Sequence, residues 1–237
     1  MKGVINAVGT VDSLGKDRLG EVRGLVYFGG KPVVLHTLEK FDEIGIDKSV
    51  VLVNPEHQKA YQDELGKISP DVEVLAYERP QDPLSVYFNG LRILQGDHIL
   101  TVADDNIFDF SLSGLLKRFK EVDDNVLAVR DMEKIVSGQE DLNLGECEVD
   151  NSGKVIKAGH SFDPSTKSIS GKVILDIYLV HEKRVPFFVN FLGNEHPTVE
   201  DAVSQWYKDF HAWEPEGFWA DIGKPPLRKL AEEHFSK

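Results

Sequence analysis

Short apolar runs alternate with amphipathic stretches through the first half of the chain. Strands are predicted at Gly3–Val8, Ser49–Asn54, Val72–Tyr77, His98–Ala103 and Asn125–Arg130. Several carry Val, Ile and Leu at both parities, the pattern of strands covered on both faces. Helices are predicted between them. In Val33–Ile44, Val34, Leu38 and Phe41 recur at helical spacing, and Glu56–Leu65 and Leu112–Val122 repeat the pattern. This alternation predicts an α/β protein with a doubly wound, mostly parallel sheet.

The pattern changes after about residue 140. Asn151-Ser152-Gly153 predicts a hairpin turn between Gly145–Asp150 and Gly153–Ala158. Lys172–Val180 reads as a long strand, and Pro197–Phe210 and Pro226–Phe235 read as helices. The second half is therefore expected to be more antiparallel. The 237 residues, 41% of them hydrophobic, suit one large α/β domain. They show no composition break, repeat or low-complexity tract, so residues 1–237 are read as one domain.

Charge and cysteine usage narrow the function classes. A formal net charge of -13 argues against a nucleic-acid partner, which needs phosphate neutralisation. It leaves room for a single nucleotide, whose phosphates need only a few local donors and a metal ion. No apolar run approaches the ~20 residues of a membrane span. Met1-Lys2-Gly3-Val4-Ile5 lacks a secretory pattern, so a cytoplasmic protein is expected. The single thiol, Cys147, cannot form an internal disulfide, and Glu146 and Glu148 would raise its pKa rather than activate it. The eight histidines show no pair at metal-ligand spacing on a predicted helix. Gly-x-Ser-x-Gly elbows and P-loop motifs are absent.

Ligands of a doubly wound sheet bind at the carboxyl ends of its strands. The informative segments are therefore Gly9–Gly15, Tyr77–Pro83, Asp104–Phe108 and His160–Asp163. Four pieces occur in order along the chain. Lys2-Gly3-Val4-Ile5-Asn6-Ala7-Val8-Gly9 leads from a strand into a loop, and Gly29-Gly30-Lys31-Pro32 precedes the helix with His36. Asp104-Asp105-Asn106-Ile107-Phe108 ends a strand, and Gly217-Phe218-Trp219-Ala220-Asp221-Ile222-Gly223-Lys224-Pro225 stands near the C-terminus. This order resembles the sugar-phosphate nucleotidyltransferases, such as glucose-1-phosphate thymidylyl- and uridylyltransferases.

The resemblance implies a Mg²⁺-dependent transfer: a sugar phosphate attacks the α-phosphorus of a nucleoside triphosphate, and pyrophosphate leaves. Mg²⁺ prefers oxygen ligands, and the matched motifs put Asp105 and Asp221 in the ligand positions, with Arg23 at the family's catalytic lysine. Ala7, Val8, Gly9, Ser13, Gln81, Ser85 and Asp104 fall on the nucleotide side, with a pyrimidine base favoured by Gln81. Asn106 and His160 fall on the sugar-phosphate side. Taken alone, each aspartate also reads as a turn residue. Related proteins are often oligomers, so a homo-oligomer is an expectation of the resemblance.

The sequence departs from the family pattern in its phosphate loop. Val8 and Val11 replace glycines, and Asp12 and Ser13 replace Thr and Arg. A β-branched residue resists positive φ, and Ser13 supplies no cation. Lys16, Arg18 and Arg23 are the nearby candidates to compensate. The family's Glu-Lys-Pro is replaced by His160-Ser161-Phe162, leaving Lys157, Lys167 and Lys172 in the vicinity. Besides an active transferase, two readings stand: a nucleotide- or sugar-phosphate-binding protein without turnover, and a nucleotide-sugar glycosyltransferase. The last lacks its usual Asp-x-Asp spacing. The aromatic C-terminal region (Trp206, Trp213, Phe218, Trp219) is expected to pack the core, with sugar stacking by Trp219 as the other reading.

Overall fold

The computed structural model describes residues 1–8, 22–69, 71–77, 91, 93–94, 96–131, 135, 144–160, 172–187 and 206–236. Strand β1 (Lys2–Ala7) opens the chain. After a 3-10 turn at Arg23–Leu25 come the short strands β2 (Tyr27–Phe28) and β3 (Lys31–Pro32), then helix α1 (Val33–Glu43). Strand β4 (Lys48–Val53), helix α2 (Gln58–Ile68) and strand β5 (Glu73–Ala76) follow. Strand β6 (Ile99–Ala103) leads through a turn to β7 (Asn106–Phe108), helix α3 (Ser113–Val122) and β8 (Val126–Asp131). The hairpin β9 (Gly145–Val149) and β10 (Val155–His160) precedes the long β11 (Lys172–Val180). Strands β12 (His211–Trp213) and β13 (Trp219–Asp221) and helix α4 (Pro225–Phe235) close the chain.

One sheet runs in the order β10-β9-β11-β6-β1-β4-β5, with β8 also on β11 and β12 on β8. Strands β5, β4, β1 and β6 are mutually parallel, while β11 runs antiparallel to β6, β8 and β9. The expected change from a parallel first half to an antiparallel second half is thus present. Side-chain alternation divides the core in two. Ile5, Val51 and Val53 pack on one face with α1–α4, and Val4, Val50 and Leu52 pack on the other with Leu91, Trp206 and Phe210. Strands buried on both faces must be apolar at both parities.

Element boundaries differ from the sequence reading in small ways. The predicted helix 56–65 is a 3-10 turn at Pro55–His57 followed by α2. Pro55 stands in the first turn, where its missing N–H breaks no helical hydrogen bond. Helix α4 begins at Pro225, the first-turn position that tolerates a missing N–H. Most of the predicted helix 197–210 lies outside the described residues. The two-residue strands β2 and β3, and the strands β7, β12 and β13, are too short for periodicity to reveal. Among the described residues, no helix is long and apolar enough to cross a membrane.

Candidate active site

The site is built where β6 ends. Its ladder to β1 extends one step beyond Ala103, because the Asp104 N–H donates to the Asn6 carbonyl at 3.0 Å. The chain then turns through Asp104 and Asp105 into β7, which pairs antiparallel with β13. Register sets Asp221 opposite Asn106, and the Ile222 N–H donates to the Asp105 carbonyl at 2.8 Å. This ribbon brings Asp105 and Asp221 together from distant parts of the sequence. Its apolar side chains, Ile107, Phe108, Trp219, Ala220 and Ile222, sit in the core face shared with α1.

Arg23 reaches the same point from its 3-10 turn. Its Nη1 donates to Asp105 Oδ2 at 2.9 Å. The guanidinium also lies against Gly223: a Cβ there would stand 2.9 Å from both Arg23 Nη1 and Asp221 Oδ1. Asp221 Oδ1 accepts the Gly223 N–H at 2.8 Å. Asp104 turns the other way. Its Oδ2 accepts the Tyr61 hydroxyl at 2.6 Å and the Gly24 N–H at 3.1 Å.

Crowded carboxylates perturb one another. Burial and then the charge of Asp105 push Asp104 up to about 7, although Tyr61, Arg23 and the Gly24 N–H oppose the shift. Burial and Asp105 likewise hold Asp221 well above the ordinary carboxylate range, with Asp176 adding to the rise and Lys224 and the Gly223 N–H opposing it. Burial works against the Arg23 charge, but Asp105, Asp104 and Asp221 outweigh it and raise its pKa. Three carboxylates and one guanidinium thus crowd at this strand end, and a bound cation would ease the repulsion among the carboxylates.

The other expected residues fall as follows. Ala7 ends β1 and Val8 follows it, both buried. Gly9, Ser13, Gln81 and Ser85 lie outside the described residues, as do Lys16, Arg18 and Lys167. His160 ends β10 opposite Gly145, and its side chain is likewise outside the described set. Asn106 differs from its expected place on the sugar side. It is 1% exposed, and its Oδ1 accepts the Trp219 indole N–H at 2.7 Å, because β7 turns it into the ribbon. Trp219, at 5% exposure, packs in the core and has no face open for sugar stacking. Lys157 pairs with Glu148, and Lys172 with Asp131 and Glu214. Burial, with Glu146 adding and Lys172 opposing, pushes the Cys147 thiol up to about 12.

Two residues near the site escaped the sequence reading. Tyr61 looked like one apolar position of an amphipathic helix. Asp176 interrupts the apolar run of β11, and that interruption was its signal. It adopts a φ of 52°, in the left-handed region that favours glycine, where the β8–β11 ladder slips between Ile174 and Tyr178. It directly precedes Ile177, which pairs with Val102 of β6, and its charge reaches Asp221. Its carboxylate accepts the Tyr178 hydroxyl, which lies 3.0 Å from the Tyr207 hydroxyl. Bulges of this kind re-aim side chains beside functional sites.

Among the described residues, no three His, Cys, Asp or Glu side chains gather into a metal cluster. Two carboxylates with open positions nonetheless suit Mg²⁺, which keeps waters and takes substrate phosphates as further ligands. The donor set therefore fits the ion that the family resemblance implies.

Solved structures of similar fold cover nearly the whole chain. A Bacillus anthracis protein assigned as glucose-1-phosphate thymidylyltransferase, in complex with sucrose, superposes with a TM-score of 0.78 at 18% identity, over 99% of this chain and 94% of that one. A UDP-glucose pyrophosphorylase complexed with UDP-glucose gives 0.77 at 12% identity, over 99% and 98%. The inositol-1-phosphate CTP transferase from T. maritima gives 0.72 at 13% identity, over 98% and 93%. At these identities the likeness establishes the fold. No curated protein matches the chain by sequence at a significant level. The family model described as nucleotidyl transferase matches residues 22–227, from just before Arg23 to just beyond Asp221. The chain belongs to the nucleotidyl transferase family.

Proposed function

We propose that this protein transfers a nucleoside monophosphate from a nucleoside triphosphate to a sugar phosphate, with Mg²⁺ held by Asp105 and Asp221. The observation that carries the reading is the convergence of Arg23, Asp105 and Asp221 at the end of β6, within a family match that spans all three. A sugar-phosphate oxygen forms the new bond to the α-phosphorus as the bond to pyrophosphate breaks. Mg²⁺, when bound, would neutralise phosphate charge and help align the triphosphate. Asp105 and Asp221 would orient that ion from opposite strands of one ribbon. Arg23 would place a two-pronged donor on phosphate oxygens as charge develops there.

Ala7, Val8, Gly9, Ser13, Gln81 and Ser85 are the proposed nucleotide side, with a pyrimidine base favoured; Asp104, expected on that side too, turns its Oδ2 to Tyr61 and Gly24 instead. His160 is proposed for the sugar-phosphate side, and the cytoplasm is the proposed setting. Asn106 is assigned to the architecture of the ribbon.

The test is pyrophosphate release from four ribonucleoside triphosphates and dTTP against a panel of sugar phosphates, with and without Mg²⁺. Activity that needs Mg²⁺ and falls in Asp105→Asn and Asp221→Asn supports the reading. Silence across the panel from folded protein removes it. A second reading, binding without turnover, is favoured by Lys157 and Lys172 being engaged by carboxylates rather than presented to a phosphate. Calorimetry that detects a nucleotide or sugar phosphate on an inactive protein would select it.

A further inference from the structure

Three elements meet at one carboxylate oxygen behind the site. Tyr61, fully buried in α2, gives its hydroxyl to Asp104 Oδ2 at 2.6 Å, and the Gly24 N–H reaches the same atom at 3.1 Å. The backbone at Gly24 is pressed against this pair. A Cβ there would stand 2.3 Å from the Tyr61 hydroxyl and 2.9 Å from Asp104 Oδ2. Enclosing a carboxylate next to Asp105 is costly, and a neutral acceptor would avoid the cost. The arrangement is best explained by what the oxygen holds. Gly24 directly follows Arg23, so a fixed N–H at Gly24 fixes the backbone from which the arginine extends. Cost and geometry thus point to the same 3-10 turn. A cation on a long side chain needs such an anchor, because small errors in placement cost heavily in catalysis.

We propose that Tyr61 and Asp104 are positioning residues: their hydrogen bond, shared with the Gly24 N–H, seats the turn that aims Arg23 at Asp105. The proposal deepens the transfer reading and rests on it for its kinetic consequence. It makes α2, through the Tyr61 hydroxyl, part of the reaction machinery. It also separates the two adjacent aspartates by role, with Asp105 facing the reaction and Asp104 acting through Arg23.

The experiment follows Arg23 directly, using the full chain labelled with ¹⁵N-arginine. The Arg23 Nε–H signal is assigned by its loss in Arg23→Lys, and Arg184, ion-paired with Asp124 elsewhere, serves as the internal reference. In Tyr61→Phe the Arg23 Nε–H should shift, and its proton should exchange roughly fivefold faster, the scale of losing one hydrogen bond, while Arg184 is unmoved. Turnover should fall about tenfold or more in kcat, with little change in KM for either substrate. Asp104→Asn keeps an acceptor oxygen, so it should recover most of the signal and turnover that Asp104→Ala loses. That comparison decides the matter if Tyr61→Phe fails to fold.

An Arg23 signal and kcat untouched in Tyr61→Phe and Asp104→Ala, with only thermal stability lowered, would overturn the proposal. So would equal losses in Asp104→Asn and Asp104→Ala. A wild-type protein silent against every substrate pair overturns the transfer reading instead. The arginine signal still decides whether the anchor exists.

Discussion

Arg23 Nη1 and Asp105 Oδ2 lie 2.9 Å apart, so an arginine pairs with one of the two carboxylates expected to take a metal ion. The pair is partly enclosed, with side-chain exposures of 26% and 19%, and the Asp221 carboxylate adds to the negative charge that Arg23 meets. On the proposed reading, an arginine so placed would balance the carboxylates in the metal-free protein and would serve bound phosphates as a donor. Arg23→Ala should lower kcat for pyrophosphate release by roughly a hundredfold, the scale of losing a transition-state donor. Arg23→Lys keeps the charge but loses the planar fork, and it should fall between. Steady-state pyrophosphate release at saturating triphosphate measures both.

Stability should depend on pH through the same cluster. An unfolded aspartate titrates near 3.9, whereas folded Asp104 is pushed up to about 7, by burial first and Asp105 second. Asp221 moves in the same direction. Between about pH 4 and pH 7 the folded chain binds more protons than the unfolded one, so stability falls as pH rises through this window. Carboxylates with lowered pKa, such as Asp124, lose their contribution only at more acidic pH. In metal-free buffer, the urea midpoint should be lower at pH 8 than at pH 5.5. Asp104→Asn should flatten that slope, and the difference between the two proteins isolates the group.

Two glycines should respond oppositely to alanine. Gly24 has no room for a Cβ beside Tyr61 and Asp104, and Gly24→Ala should destabilise by about 1–3 kcal/mol. Gly66 is exposed within α2, with nothing within 4 Å of a Cβ, and Gly66→Ala should stabilise by about 0.5–1 kcal/mol through helix propensity. For a chain of this size, melting should move about 2–4 °C per kcal/mol. Differential scanning calorimetry compares the two variants.

The ribbon that aligns the aspartates depends on a buried polar pair. The Trp219 indole N–H donates to Asn106 Oδ1 at 2.7 Å, and Asn106 Nδ2 has no hydrogen-bond partner among the described residues. Trp219→Phe should strand the second polar atom of Asn106 as well, at a cost of about 1–3 kcal/mol. Adding Asn106→Leu to that variant should recover part of the loss, because it removes the stranded groups. Chemical denaturation of the single and double variants tests the coupling.

Cys147 offers a probe of global unfolding. It is fully buried and its thiol is pushed up to about 12, by burial first. A disulfide reagent at neutral pH should react with native protein only as fast as the core opens. Labelling in denaturant should be complete within the mixing of an ordinary assay.

Most strands and helices were legible because the sheet is covered on both faces. Val4 and Ile5 are both fully buried, on opposite sides, and such a strand must be apolar at every position. The short strands were not legible. The Asn106–Phe108 and Trp219–Asp221 strands have three residues each, too few for a period, and each exists because the other lies beside it.

The candidate site divides in the same way. Order along the chain marked Asp105 and Asp221, and the pairing of β7 with β13 sets the two close together in the fold. Asn106 sits in the same motif, yet its side chain is committed to Trp219, and only the pairing of two distant strands decides that. Tyr61 carried no signal at all, since a buried tyrosine on a helix reads as core until its hydroxyl has a partner.

The sequence by itself determined the α/β alternation, the antiparallel turn of the second half and the two aspartates as a pair. These are local patterns or ordered motifs, written in the spacing of residues along one chain. Tertiary structure alone decided that Arg23 lies on Asp105, that Asp104 turns away toward Tyr61 and Gly24, and that Asp176 bends beside the strand end. Those facts depend on distances between segments far apart in sequence, and the packing of the sheet and its helices sets them.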